Sequence, residues 1–322
     1  MRVLLTGSSG WLGRFLAPLL TRAGHAVTGL DIAPGAHTDT IGSVADAGLI
    51  ERLFAEHRFE AVVHAGALHK PDIVRYPAQA FVDVNVTGTL HLLEAAVRHG
   101  ADRFVFTSTT SLMITQAIRD EVASQAVWLD ERTAPLAPRN IYGVTKRAAE
   151  ELCRLTHDLH GLPVIALRVA RFFPEDDDTD AVPAGENLKA NEFLNRRLTV
   201  EDCAAAHLAA LEAAPRLGWG VYVVSAPPPF TRADAARLKG DAAGMIAERF
   251  PEAPALYASR GWQLPQSIGR VYDPSAIERD LGFRCRTDFA AVLKALEAGG
   301  PLPFAHDPGY VPPKEMNRLA GK

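Results

Sequence analysis

The sequence has few cysteines, no excess of basic charge and no long apolar run. Its three cysteines, Cys153, Cys203 and Cys285, lie far apart without C-x-x-C spacing, so they predict neither a disulfide framework nor a thiolate zinc site. The 34 basic residues are outnumbered by 38 acidic ones, which argues against nucleic acid as a partner. Since no stretch of 18 apolar residues occurs, we expect a cytoplasmic protein without a membrane partner.

The composition of the 322 residues is that of a globular protein, with 48% hydrophobic and 22% charged residues. In the first half, short apolar strands alternate with longer amphipathic helices, which is typical of a parallel sheet covered by helices on both faces. The predicted strands are 2–6, 26–31, 61–64, 103–107 and 163–168, and the predicted helices are 12–23, 49–57, 86–99 and 141–160. The sequence therefore predicts an α/β fold with a doubly wound parallel (Rossmann) sheet.

A glycine-rich motif, Thr6-Gly7-Ser8-Ser9-Gly10-Trp11-Leu12-Gly13, joins the first strand to the first helix. Glycines at these positions allow a tight turn and the close approach of a pyrophosphate to the helix N-terminus. The alternative is an ordinary glycine-rich turn, but the strand before it and the helix after it favour a dinucleotide site.

Asp31 ends the second strand, 18 positions after Gly13. An acidic side chain at this spacing accepts hydrogen bonds from an adenosine ribose, and it repels the 2′-phosphate of NADP. We therefore predict NAD as the cofactor. The alternative is a solvated aspartate at a strand end.

Two further motifs carry groups for proton transfer. Tyr142 and Lys146 lie four residues apart at the start of a predicted helix, where they share one face. A nearby ammonium lowers the pKa of a phenol by favouring the phenolate, although such pairs also occur by chance. The strand 103–107 runs into five hydroxyl residues, Thr107 to Ser111, which would point into the crevice at the carboxyl end of the sheet or serve as turn and helix caps.

Together with His64-Ala65-Gly66-Ala67 and Asn85-Val86-Thr87-Gly88-Thr89, these motifs resemble the extended short-chain dehydrogenase/reductase superfamily, in its NAD-dependent sugar epimerase/dehydratase branch. The resemblance implies that Tyr142 is the acid/base, Lys146 tunes it, and Thr109 is the hydroxyl partner, with Ser108 as the weaker candidate. It also implies a homodimer. The implied cofactor-binding residues are Gly7, Ser9, Gly10, Trp11, Leu12, Gly13, Asp31, Ser43, Val44, His64, Ala65, Gly66, Asn85, Thr107, Tyr142 and Lys146.

After Arg171 the regular alternation ends. We predict a dinucleotide-binding domain of residues 1–171 and a smaller substrate-binding region of residues 172–322, parts of which return to the main sheet. The pieces of the second region look too short to form a separate core. The acidic segment from Pro174 to Pro183 is predicted to be a solvated loop, and the proline-rich segment from Gly299 onward an extended arm or frayed tail.

The substrate is predicted to be a small molecule of the sugar type. Candidate substrate-binding residues are His69, Lys70, Thr109, Thr110, Arg171 and Arg270. Relatives that use nucleotide sugars commonly show Arg-x-x-Asn after the last long strand, whereas this chain reads Arg168-Val169-Ala170-Arg171. Arg171 and Arg197 are only 26 positions apart, which favours a free sugar or sugar acid over a nucleotide sugar. The alternative is that residues 186–197 and the loop after Trp262 rebuild a nucleotide site, with Arg270 on the diphosphate.

Three kinds of function remain open at this point. In an epimerase or dehydratase the hydride returns to the sugar, whereas in a dehydrogenase NADH leaves. A non-catalytic NAD-binding regulatory protein is the third, although it would not need Thr109, Tyr142 and Lys146. The histidines show no carboxylate-plus-histidine pattern, so we expect no metal.

Overall fold

The computed structural model describes residues 1–176 and 183–320. The centre of the predicted acidic loop, Asp177, Asp178 and Asp180, lies outside these residues. The strands are β1 (Arg2–Thr6), β2 (Ala26–Asp31), β3 (Thr40–Ile41), β4 (Ala61–His64), β5 (Arg103–Thr109), β6 (Val127–Leu129), β7 (Val164–Val169), β8 (Trp219–Val224) and β9 (Arg270–Tyr272).

Seven of these strands form one parallel sheet in the order β3-β2-β1-β4-β5-β7-β8. The strand order reverses between β1 and β4, and in doubly wound sheets ligands bind at the carboxyl ends of the strands beside such a reversal. The predicted doubly wound parallel sheet is therefore confirmed. Strands β5 and β7 run in register, with Thr109 opposite Val169.

The α-helices cover both faces of the sheet and build the region beyond it. They are α1 (Gly13–Arg22), α2 (Ala47–His57), α3 (Ala78–Phe81), α4 (Gly88–Arg98), α5 (Gln116–Arg119), α6 (Ile141–His160), α7 (Gly185–Glu192), α8 (Val200–Leu217), α9 (Ala235–Gly240), α10 (Ala242–Arg249), α11 (Ala253–Ser259), α12 (Ser275–Leu281), α13 (Phe289–Glu297) and α14 (Pro313–Ala320). The buried apolar residues of β1 alternate between two clusters, with Val3 and Leu5 in the cluster on one face and Leu4 in the other.

The second half of the chain contributes to the sheet and also forms a core of its own. Helix α8 and strand β8 belong to the main layer, and the division at residue 171 stays a prediction. Short strands β6 and β9 pair in parallel beside a third apolar cluster that includes Phe193, Tyr257 and Phe289. The prediction that this region has no separate core is wrong, because short segments far apart in sequence pack their apolar faces against one another.

The proline-rich tail ends in helix α14, contrary to the predicted extended arm or frayed tail. The Nζ of Lys314 lies 2.5 Å from the Oδ2 of the fully buried Asp72. Tyr76 donates its hydroxyl hydrogen bond to Glu315. The tail is therefore docked on the sheet region next to the loop that follows β4. Within the described part of the chain, the helices are all too short or too polar to cross a bilayer.

Candidate active site

The glycine motif folds into a tight loop between β1 and α1. Gly7 has a φ of +76°, and a Cβ at this position would lie 2.7 Å from the backbone nitrogen of Gly66. A Cβ on Gly13 would lie 2.2 Å from the carbonyl oxygen of Gly7. These contacts require glycine at both positions, since real Cβ atoms do not approach so closely. Among the described residues, no side chain caps the N-terminus of α1, and its first turn contains no acidic residue. The backbone N–H groups at this end, which is the positive end of the helix dipole, therefore stay available to an anion.

Asp31 lies beside this loop at the carboxyl end of β2. Its Oδ2 accepts a hydrogen bond from the backbone nitrogen of Ser9 at 3.0 Å, and its Oδ1 accepts one from Ala33 at 3.1 Å. The carboxylate is thereby fixed next to the glycine loop, where the sequence predicts contact with a ribose.

His64, at the end of β4, turns its ring into the interior. The ring is hydrogen-bonded to Thr6 Oγ1 at 2.7 Å and to Thr89 Oγ1 at 3.0 Å. Burial lowers the pKa of His64 to about 3, so the ring is neutral. Thr6 Oγ1 also accepts a hydrogen bond from the backbone nitrogen of Gly66, which holds the Ala65-Gly66 backbone against the glycine loop. The backbone after β4 thus faces the loop, whereas the His64 side chain does not.

Asn85 joins two elements that border this crevice. Its side-chain amide exchanges two hydrogen bonds with the backbone of Leu68, both at 2.9 Å, and donates to Thr145 Oγ1 on α6. Ser43 caps its own turn by accepting from the backbone nitrogen of Ala45, and Val44 is buried. The structure therefore assigns Asn85 contacts that position the loop after β4, whatever else the residue binds.

Thr109 and Tyr142 meet at the carboxyl end of the sheet. Thr109 is the last residue of β5, and Tyr142 is the second residue of α6, whose N-cap Asn140 accepts a hydrogen bond from Gly143. Burial raises the pKa of Tyr142 to about 12, a hydrogen bond from Thr109 acts in the opposite direction, and the charge of Asp72 raises the pKa further. Thr109 therefore lies close enough to Tyr142 to act on its pKa, and the roles of the two side chains stay predictions.

Lys146 lies about one turn after Tyr142 on α6, and its side chain is buried. Its Nζ lies 4.1 Å from the centroid of the Phe106 ring, and burial lowers the pKa of Lys146 to about 7. The sequence predicts that Lys146 lowers the pKa of Tyr142, but in the structure burial of the phenol outweighs any such effect. The reason is that desolvation penalises the charged form of both side chains.

The other hydroxyl residues after β5 have different partners. Ser108 donates a hydrogen bond to Glu150, which also forms a buried ion pair with Arg168 at 2.8 Å. Thr107 bonds to the ring of His207 on α8 at 2.7 Å. Thr110 donates to the carbonyl oxygen of Val169 at 3.4 Å. Of these residues, Thr109 is the one whose hydrogen bond acts on the pKa of Tyr142.

The loop after β4 places His69 at the same edge. Its ring stacks on Phe173, with 5.1 Å between the ring centroids, and burial lowers the pKa of His69 to about 3. Its backbone nitrogen donates to Asp72 at 2.7 Å, in a short helical turn that begins with Lys70. His69 and Tyr142 thus both lie near Asp72, whose charge acts on the pKa of each.

Arg171, two residues beyond the end of β7, belongs to a buried ion network. Its Nη1 lies 3.2 Å from Oε1 of Glu192, which also binds Arg196 and Arg197. Arg270 lies on β9, and its Nε is buried without a hydrogen-bond partner among the described residues. Within the same residues, groups of three or more side chains that could hold a metal ion do not occur.

The docked tail is a part of this region that sequence reasoning missed. Tyr310 packs edge-to-face on Trp11 of the glycine motif, with 5.1 Å between centroids, and the guanidinium of Arg14 lies over both rings. An aromatic residue within a run of prolines is the only sequence signal for this contact. The tail covers one side of the loop where the dinucleotide is expected.

Comparisons with known proteins agree with this geometry. The family model described as the NAD dependent epimerase/dehydratase family matches residues 3–224. The chain is 31% identical over 199 residues to a UDP-glucose 4-epimerase of Azospirillum brasilense, covering 58% of this chain and 54% of that protein. It is 27% identical over 180 residues to a uronate dehydrogenase of Pseudomonas syringae pv. tomato, covering 54% and 60%. The matches thus span between half and two thirds of the length of these curated relatives.

Solved structures share the fold over 92% to 100% of the chain. A short-chain dehydrogenase/reductase superfamily protein from Agrobacterium tumefaciens, solved with bound NAD, has a TM-score of 0.65 at 21% identity and covers 100% of this chain and 99% of its own. The matched range 3–224 contains the glycine loop, Asp31, Thr109, Tyr142 and Lys146. The resemblance predicted from the sequence is confirmed, and the chain belongs to the NAD dependent epimerase/dehydratase family.

Proposed function

We propose that the protein is an NAD-dependent oxidoreductase of the epimerase/dehydratase type that acts on a hydroxyl group of a sugar or sugar derivative. The observation that carries this proposal is the juxtaposition of Thr109 and Tyr142 at the sheet edge that also carries the glycine loop. Groups that exchange a proton with a substrate hydroxyl must lie beside the bound cofactor, and this edge is where doubly wound sheets bind nucleotides.

The residues of the loop fit NAD. Gly7 and Gly13 leave no room for a Cβ, so the backbone packs closely at these two positions, and the N-terminus of α1, the positive end of its dipole, lies at the same turn. Asp31, held by Ser9, would accept hydrogen bonds from a ribose and disfavour a 2′-phosphate. Ser9, Gly10, Trp11 and Leu12 would border the pyrophosphate. When bound, NAD accepts or returns a hydride at its nicotinamide ring.

Tyr142 would exchange the proton with the substrate hydroxyl, and Thr109 would hydrogen-bond the same oxygen. A neutral phenol is the stable form in the structure, since the pKa of Tyr142 is about 12. Tyr142 therefore starts as a proton donor. To act as a base it must first become a phenolate, which requires a positive charge nearby to lower its pKa. Lys146, with a pKa of about 7, would supply that charge when protonated.

Two outcomes of this chemistry stay candidates. The relatives include a UDP-glucose 4-epimerase, whose name describes a change of configuration, and a uronate dehydrogenase, whose name describes an oxidation. The short distance in sequence between Arg171 and Arg197 favours a small sugar or sugar acid, with release of NADH. Val144, Leu155 and Leu159 of α6 are exposed apolar residues, and they support a homodimer that forms through this helix. We further propose that the protein is cytoplasmic.

A single assay tests the proposal and separates the outcomes. The purified protein is incubated with NAD and, one by one, sugars, sugar acids and nucleotide sugars, while NADH and the sugar products are both measured. Accumulation of NADH indicates a dehydrogenase, and a rearranged or dehydrated sugar without net NADH indicates an epimerase or dehydratase. NAD binding without turnover of any compound would favour a non-catalytic NAD-binding regulatory protein and contradict the proposal.

A further inference from the structure

The tail crosses the edge of the sheet at which the proposed dinucleotide site lies. This segment, residues 301–316, leaves the C-terminal core at Phe304, whose ring stacks on Phe193 with 5.4 Å between the centroids. It ends in the first turn of α14, where Lys314 forms an ion pair with the fully buried Asp72. The tail is therefore held at both ends, by an apolar contact at one and by a buried charge pair at the other.

Between these ends the tail contacts loops that follow three strands of the main sheet. The backbone nitrogen of Asp307 donates a hydrogen bond to the carbonyl oxygen of Pro174, in the loop after β7, at 2.8 Å. The ring of Tyr310 packs on Trp11, in the loop after β1, and Lys314 reaches the loop after β4. Because these strands are parallel, the loops at their carboxyl ends lie at one edge of the sheet, where doubly wound folds bind their ligands. The tail thus passes across the crevice at this edge.

The contacts of the tail also lie near both parts of the proposed dinucleotide site. Burial raises the pKa of Tyr310 to about 12, and the charge of Asp31 acts in the same direction, so the phenol is near the carboxylate proposed to bind a ribose. Asp72, the partner of Lys314, raises the pKa of Tyr142, the proposed proton-transfer group. The tail therefore extends from the ribose end of the proposed site to its reacting end.

The tail is built to detach more easily than the elements beneath it. Among the described residues no helix or strand lies between α13 and α14, and the prolines of this stretch have no N–H with which to pair along a strand. Its exposed residues include Asp307, Pro308, Gly309 and Val311. The indole Nε1 of Trp11 is buried without a hydrogen-bond partner in the described part of the chain, which weakens docking of the tail on that ring. Segments with few buried apolar contacts open locally at low free energy, and prolines reduce the entropy lost when such a segment docks again.

We infer that the tail is a strap over the dinucleotide crevice, and that it must detach from Trp11 for NAD or NADH to enter or leave. The inference rests on the proposed function, because it concerns exchange of the cofactor of that site. When docked, the tail keeps water away from the reacting groups, and when detached it exposes the crevice. In a dehydrogenase each turnover requires the tail to detach, whereas an epimerase or dehydratase can keep the same dinucleotide behind it.

Stopped-flow fluorescence of NADH measures entry and exit separately. Tyr310→Ala removes the ring that packs on Trp11 and should raise the rate constants of NADH binding and of NADH release together, each roughly 5- to 50-fold, with Kd changed by less than about threefold. Both rate constants rise because a docked tail blocks both directions, whereas a ring that only contacted the dinucleotide would change release alone. Tyr310→Phe keeps the ring and should leave both rate constants within about threefold.

Hydrogen exchange of the backbone amides shows independently whether a variant frees the tail. The amide of Asp307 is a reporter because it is bonded to Pro174 when the tail is docked. Exchange at residues 301–316 should become faster in Tyr310→Ala. The matched control is Met316→Ala, since Met316 is exposed on α14, and it should change neither the exchange nor the NADH rate constants. Should Tyr310→Ala fail to fold, Lys314→Met removes the other anchor and should raise both rate constants.

Three results would overturn the inference. The first is faster release of NADH from Tyr310→Ala with an unchanged rate constant of binding. The second is faster exchange along the tail while both NADH rate constants stay within about twofold, and the third is unchanged exchange in Tyr310→Ala. Each of these, with NADH bound by the unmodified protein, leaves the proposed function standing. A protein that binds neither NAD nor NADH contradicts the proposed function and this inference together, so binding by the unmodified protein distinguishes the two failures.

Discussion

The two sides of the candidate active site are built differently. On the sheet side, Asp31 and Thr109 are the last residues of parallel strands, so the register of the sheet places them at one edge. On the C-terminal side, Phe193 and Phe289 come from segments far apart in sequence and pack together only in a distinct apolar core. The comparison teaches that the register of a doubly wound sheet is enough to bring the proposed cofactor and proton-transfer groups to one edge, whereas the C-terminal region depends on packing that no single segment encodes.

The largest effect is expected on the sheet side. Tyr142→Phe removes the proposed proton-transfer group and should lower kcat on the order of 10²–10⁴-fold, with little change in NAD affinity. Tyr310→Phe is the matched control from the C-terminal side, because the hydroxyl of Tyr310 has no partner among the described residues. It should alter kcat by less than about threefold. Stopped-flow turnover and NAD titration measure both variants, and near-normal turnover of Tyr142→Phe would exclude the role proposed for Tyr142.

The next effect concerns the cofactor. Asp31→Ala removes a charge-assisted contact worth roughly 1.5–3 kcal/mol, so NAD affinity should fall about 10- to 100-fold, and NADP should improve relative to NAD. Asp31→Asn keeps the hydrogen-bonding shape but not the charge, and should show the change in preference with a smaller loss of affinity. An unchanged ratio of NAD to NADP affinity in both variants would contradict the assignment of Asp31.

Acid should destabilise the sheet region before the C-terminal core. His64 and His207 are buried and neutral, with pKa values lowered from 6.5 to about 3 and about 4 by burial. The unfolded chain therefore binds more protons below pH 6.5, and the stability due to each histidine is lost as pH falls from about 6.5 towards 4. At pH 5 the loss is at most about 2 kcal/mol for each histidine.

Tryptophan fluorescence during urea unfolding can follow the two regions separately. Trp11 and Trp219 pack against the sheet clusters, whereas Trp128 and Trp262 pack against the C-terminal core. In variants that keep one tryptophan each, acidification from pH 7 to 5 should move the Trp219 signal to lower urea concentration by more than the signals of Trp128 and Trp262. His64→Gln should reduce this pH dependence, and His160→Gln, at an exposed position, should not. Equal shifts of the Trp219, Trp128 and Trp262 signals would mean that the two regions unfold as one unit.

The smallest effect links the two sides through the tail. Lys314→Met leaves the buried charge of Asp72 less compensated, and since this charge raises the pKa of Tyr142, the pH profile of kcat should move to higher pH by up to about one unit. The control is Lys294→Met on the exposed face of α13. A profile that stays in place while the tail becomes sensitive to protease would show that Lys314 only docks the tail.

The sequence predicts those elements of the fold that neighbouring residues specify. The strand–glycine–helix order and the alternation of apolar runs predicted β1, α1 and α6, because each element is specified by neighbouring residues. The docking of α14 could not be predicted, since Lys314 reaches Asp72 across 242 positions. The raised pKa of Tyr142 was missed for the same reason: burial depends on tertiary packing, whereas the sequence showed only the spacing to Lys146.

Titration of the unmodified protein with NAD and NADP tests the central claim most directly, namely that the glycine loop and Asp31 form an NAD site beside Tyr142. The account predicts saturable NAD binding at least about tenfold tighter than NADP binding, because the carboxylate of Asp31 repels a 2′-phosphate. Tighter binding of NADP, or no binding of either dinucleotide, would contradict it.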